Sequence, residues 1–119
     1  WQYDLLIERL QTTFSLAVEA GDLRMQALAT TNLAVAVEKI KDFEGAKRHY
    51  NRALELWKEL GDDRWYWTTA GFKGQVESQL GNQVEALPLL EEAYAQLLRL
   101  DPLGRQTAFG LLSRTPQPI

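Results

Sequence analysis

Few residues in this chain have the type and spacing to make or break bonds. The single histidine, His49, lies between Arg48 and Tyr50, and the 119 residues include no cysteine. A metal ion would therefore need carboxylates that helical spacing does not bring to His49. Ser15, Ser78 and Ser113 stand outside any nucleophile-elbow context, so nothing points to a Ser-His-Asp hydrolase. Glu55 with Glu59, and Glu91 with Glu92, lack a convergent second element for acid–base work. The segment Gly71-Phe72-Lys73-Gly74 is too short to cradle a phosphate and has no Ser or Thr after its lysine. The chemistry expected is thus non-covalent. His49 reads as a surface residue, the glutamates as solvated helix faces and Gly74 as a helix-packing point. No catalytic residue, cofactor or metal is expected.

Bulk properties narrow the partners. A formal net charge of −3 supplies no broad basic field for phosphates, so nucleic acid is not an expected ligand. Lys47, Arg48 and Arg52 form a modest basic stripe, offset by Glu44, Glu55 and Glu59. No apolar run approaches the roughly 20 residues that span a bilayer, and the opening WQYDLLIERL has no basic region followed by a long apolar stretch. A membrane is not an expected partner, and the expected location is cytoplasmic. The opening already reads as mid-helix, which suggests a piece of a longer protein.

The elements that position these side chains follow from an internal repeat. Ala20-Gly21-Asp22 returns as Leu60-Gly61-Asp62 and, loosely, as Leu100-Asp101-Pro102, an offset of 40 residues. The same offset pairs Arg24 with Arg64, Ile40 with Leu80, Ala46 with Ala86 and Ala53 with Ala93. A period of this length means stacked supersecondary units. Apolar positions recur at three and four, as in Leu33, Val37 and Ile40, or Tyr50, Ala53, Leu54 and Trp57, which favours helices over strands. Periodicity and punctuation predict about six helices, near 2–20, 23–40, 43–60, 63–80, 83–100 and 102–114, with a tail at 115–119. Asp22, Asp42, Asp62 or Asp63, Asn82 and Asp101 stand where a side chain accepts from the orphan amides of a helix start. Asn82 with Glu85 has the form of a capping box, and Gly21, Gly61 and Gly81 stand where helices end. Pro88 falls in the second turn of the fifth helix and is expected to bend it.

The stretch from Asn32 to Leu60 resembles the tetratricopeptide repeat. Leu33, Ala34 and Val37 match the large, small, large pattern of that family's first helix, and Ala46, Tyr50 and Ala53 match the small, aromatic, small pattern of its second. The following unit offers Gly74, then Ala86, Leu90 and Ala93, but Lys73 and Glu77 replace expected apolar residues. The long period looks like the extended-helix branch found in peptide-binding scaffold and signalling proteins. The resemblance implies an all-α fold, antiparallel helix-turn-helix units stacked as a right-handed solenoid. It divides residues 1–114 into a partial repeat at 1–20, repeats at 23–60 and 63–100, and a partial repeat at 102–114.

In this family the first helix of each unit lines a concave groove, so the resemblance nominates Asn32, Val35, Lys39, Thr68, Phe72, Gln75 and Gln79 for protein or peptide binding. Carboxamides both donate and accept, which suits an extended peptide backbone. Only Lys39 stands where chaperone-binding members carry a charged clamp, so chaperone tails are disfavoured. Trp65-Tyr66-Trp67 is the densest aromatic cluster; successive helical side chains diverge, so most of it is expected to pack between repeats, as is Trp57. Terminal repeats expose faces that a neighbour would cover, which nominates Trp1, Tyr3, Phe109 and Leu112 for self-association. The second reading is accordingly a self-assembly or sensor segment of a larger multidomain regulator.

Overall fold

The computed structural model describes residues 2–101. Within them lie five helices: α1 (Gln2–Ala20), α2 (Leu23–Lys39), α3 (Phe43–Leu60), α4 (Asp63–Gln79) and α5 (Gln83–Leu100). Each helix packs against the next, as expected for a stack of helical hairpins. The sixth expected helix, at 102–114, lies outside the described residues, as do Trp1, Phe109 and Leu112.

The turns show why the chain reverses where it does. Asp22, Asp42 and Asp62 accept hydrogen bonds from the amides of Met25, Gly45 and Trp65, each three residues on. Each carboxylate satisfies an orphan donor and meets the positive end of its helix. Three of the four turns place glycine in the left-handed region, at Gly21, Gly61 and Gly81. The turn between α2 and α3 places Lys41 there instead, at φ 70°, which an L side chain rarely adopts. Asn82 departs from the expected capping box. Its side chain makes no cap bond, and its Nδ2 instead donates to Glu77 Oε1 at 2.9 Å. α5 runs through Pro88, one turn after the highly exposed Val84.

Small residues set the helix spacing. Ala27, Ala34, Ala46, Ala53, Ala86 and Ala93 are all buried, letting backbones approach closely. Gly74 acts the same way against α5: a Cβ placed there would come within 2.8 Å of Leu90 Cγ. Larger residues fill the space between units. Ala34, Val37, Ala46, Tyr50 and Val76 form one cluster, with Ile7, Val35, Phe43, Phe72 and Leu80 packed against it, so residues of α1, α2, α3 and α4 meet around Tyr50. Ala27, Ala53, Leu56 and Trp57 form a second, joined by Leu23, Leu28, Leu60, Trp65 and Tyr66.

Glu77, one of the two residues that break the apolar pattern, is accommodated by charge together with Lys47 of α3. Glu77 is 5% exposed, and the Lys47 ammonium lies 3.2 Å from its carboxylate. Forty residues earlier the equivalent positions hold Val37 and Ile7, both in the first apolar cluster. Burial pushes the Glu77 carboxyl up, but hydrogen bonds from Asn82 and Lys47 and the charges of Lys47 and Lys73 outweigh it and hold the group below its usual value.

Candidate functional site

Helical spacing puts residues at intervals of three and four on one side. On α2 that side carries Leu28, Asn32, Val35 and Lys39, and on α4 it carries Thr68, Phe72, Gln75 and Gln79. Asn32, Lys39, Gln75 and Gln79 are exposed, while Val35 and Phe72 are partly buried and packed on the same cluster. The two apolar side chains thus stand between exposed amides and one cation, an arrangement suited to a peptide that offers backbone groups and an apolar side chain. Phe72 is held from beneath by Tyr50, whose ring centroid lies 6.1 Å away. Tyr50 is held in turn by its hydroxyl, which donates to Glu38 Oε1 at 2.8 Å. Burial, and then the charge and hydrogen bond of Glu38, push that phenol well above its ordinary pKa, so it stays a donor.

Thr68 is placed differently from its six companions. It is 2% exposed and its hydroxyl donates to the Arg64 carbonyl at 2.8 Å, so it offers a ligand almost no surface. Conversely, Arg24 and Arg64, one turn before Leu28 and Thr68, continue the same side of each helix and are exposed. The 40-residue offset pairs these arginines, a signal present in the sequence although neither is among the nominated groove residues. Arg24 is engaged: its Nη2 lies 2.8 Å from Asp62 Oδ2, and its guanidinium stands 5.4 Å from the centroid of the Trp57 ring.

The aromatic cluster divides as expected. Trp57 is fully buried, stacked on Trp65 with centroids 4.9 Å apart, and its Nε1–H donates to Thr31 Oγ1 at 3.0 Å. Trp65 and Tyr66 pack on the second apolar cluster, whereas Tyr66 also meets Trp67 edge to face. His49 is not a plain surface residue. It is half-buried and, with Gln11, Phe14, Ser15, Thr30, Leu33 and Arg52, lines a cleft of about 320 Å³. Burial and the Arg48 charge lower its pKa, partly offset by Asp42.

Of the terminal positions, Tyr3 is partly exposed on α1. Among the described residues no helix is long and apolar enough to cross a membrane, and no cluster of His, Asp and Glu could hold a metal ion.

No curated protein and no solved structure matches the chain. A family model does, the tetratricopeptide repeat, over residues 24–99, which takes in α3 and α4 whole and nearly all of α2 and α5. With the resemblance at Leu33 to Ala53 and the paired, alanine-spaced helices, this match shows that the chain belongs to the tetratricopeptide repeat family.

Proposed function

We propose that the chain is a non-catalytic module that binds a protein partner through an extended peptide segment lying along the shared face of α2 and α4. Tetratricopeptide repeats generally mediate protein–protein interaction. The observation that carries the reading is the grouping of exposed Asn32, Lys39, Gln75 and Gln79 around partly buried Val35 and Phe72, on equivalent sides of two helices one repeat apart. Buried alanines and Tyr50 fix those helices, so little receptor entropy is lost on docking. The exposed Arg64 adds a cation at one end of the face and Lys39 another.

A photoreactive amino acid at Gln75 tests this against controls at Glu92 on α5 and Tyr3 on α1. A partner cross-linked from Gln75 alone supports the α2/α4 face, and one cross-linked only from the controls overturns it.

A second reading, association through the ends of the stack, rests on a different observation. On α5, Val84, Leu87, Tyr94 and Leu98 are exposed at intervals of three, seven and four, one continuous side. On α1, Leu5, Leu6, Leu16 and Val18 are exposed. Such faces support a role as one segment of a larger regulator, or as a site where copies meet. Cross-linking from Tyr3, and sedimentation that changes with concentration and is abolished by Leu87→Glu, are the expected signs.

A further inference from the structure

Away from the α2/α4 face, Lys58 from the last turn of α3 and Asp63, Tyr66 and Trp67 from the first turns of α4 line a cleft of about 280 Å³. Asp63, Tyr66 and Trp67 are three and four residues apart and share one side of α4. The two rings meet with centroids 5.0 Å apart and planes 83° from parallel. Rings at right angles make a corner bounded by two π faces, each with a negative quadrupole. Such a corner attracts an ammonium whose charge is spread over methyl groups, because that cation is poorly hydrated and also brings apolar surface.

Charge sharpens the choice of ligand. Asp63 and Lys58 are exposed, and among the described residues neither makes an ion pair. One unpaired carboxylate and one unpaired ammonium line the same small space, so a simple cation would meet Lys58 and a simple anion would meet Asp63. A molecule carrying both signs satisfies both, with its ammonium in the aromatic corner beside Asp63 and its anionic group on Lys58. The volume lies just under the range of about 300–1,000 Å³ usual for drug-sized ligands, which restricts the occupant to something small. Tyr66 also packs against the cluster around Trp57, so one wall of the corner is fixed before any ligand arrives.

We propose that this cleft binds a small zwitterion that joins a methylated ammonium to an anionic group, the chemistry of phosphocholine. The same chemistry occurs in the free molecule and in a lipid headgroup, so the test uses both. The indole N–H signal of Trp67, assigned through Trp67→Phe, is followed by NMR during titration with phosphocholine, with choline, which lacks the anion, and with phosphoethanolamine, which lacks the methyls.

Phosphocholine is expected to shift the signal saturably and to bind about fivefold or more tighter than either analogue. Asp63→Asn and Lys58→Ala, both at exposed positions, are each expected to weaken it by about the same factor while leaving the far-ultraviolet circular dichroism unchanged. Co-sedimentation with phosphatidylcholine vesicles assigns the source: retention on vesicles points to the headgroup, and response to soluble phosphocholine alone points to the free molecule. No saturable shift with phosphocholine, equal response to all three compounds, or undiminished binding in both variants would overturn the proposal.

Discussion

Trp57, in the last turn of α3, lies stacked on Trp65, in the first turn of α4, with planes 9° from parallel. This contact joins the second helix of one unit to the first of the next, across the turn where Asp62 caps α4. The indole N–H of Trp57 donates to Thr31 on α2, and Thr31 donates onward to the Ala27 carbonyl at 2.8 Å. One side chain therefore ties three helices together. Trp57→Ala should cost about 3–5 kcal/mol, a value usual for removing a buried large aromatic. Thr31→Val, which keeps the shape but orphans the indole donor, should cost about 1–3 kcal/mol. Urea unfolding followed by circular dichroism checks both.

Asp62 carries more than its counterpart one repeat earlier. Asp22 and Asp62 both cap a helix, but only Asp62 also holds Arg24. Asp22→Ala should cost about 1 kcal/mol, and Asp62→Ala more by up to about 1 kcal/mol. Because the Arg24 contact is largely exposed, that excess should shrink in about 1 M salt. Equal losses in low salt would mean the ion pair adds nothing.

Glu77 and Asp62 set the acid limb of stability. Burial raises both carboxyls, yet hydrogen bonds and neighbouring cations leave both below their ordinary values of 4.5 and 3.8. A depressed folded pKa stabilises fully above the unfolded value and is lost as pH falls through the folded one. Stability should therefore decline from just above pH 4.5 downward, with Glu77→Gln flattening that decline. His49, lowered below 6.5, adds an earlier and separate loss as pH falls below that value. Lys47→Ala, which strips the buried carboxylate of its cation, should cost about 3 kcal/mol. Unfolding midpoints across pH, with and without these substitutions, measure the slopes.

Lys41 holds a left-handed backbone at φ 70°, where the other three turns have glycine at φ 68° to 84°. Lys41→Gly should relieve that strain and stabilise by about 0.5–1 kcal/mol. Gly74→Ala should do the opposite. Its Cβ would overlap Leu90, and overpacking of about 1–3 kcal/mol exceeds the gain of up to about 1 kcal/mol from better helix propensity. Adding Leu90→Ala should recover part of the loss, a coupling that a double-mutant cycle reads directly.

Helix limits were legible in the sequence because turn chemistry recurs: a glycine then an aspartate at 21–22 and 61–62 places both ends of the flanking helices. Every described helix ends within one residue of its expected limits. The turn at Lys41 shows what local reading lacks, since nothing in the side chain announces a positive φ. The expected Asn82 cap is missing because its side chain turns to Glu77, five residues earlier, donating Nδ2–H there while its Oδ1 caps no α5 amide, a contact that spacing along the chain does not announce. Thr68 shows the same limit at the candidate site: spacing assigns a side, whereas burial depends on which neighbours lean over it. The cleft beside His49 draws residues from three helices and left no pattern in any one of them.

Peptide binding by the α2/α4 face is checked by affinity measured at that face. Peptides selected from a displayed random library against the chain would be titrated by calorimetry into the wild type, the Asn32→Ala, Gln75→Ala double variant, and a Leu16→Ala control on α1. Binding to the folded double variant is expected to be at least about tenfold weaker, and binding to the control unchanged. Unchanged affinity in the double variant, or a loss confined to Leu16→Ala, would contradict it and move the binding surface to the ends of the stack.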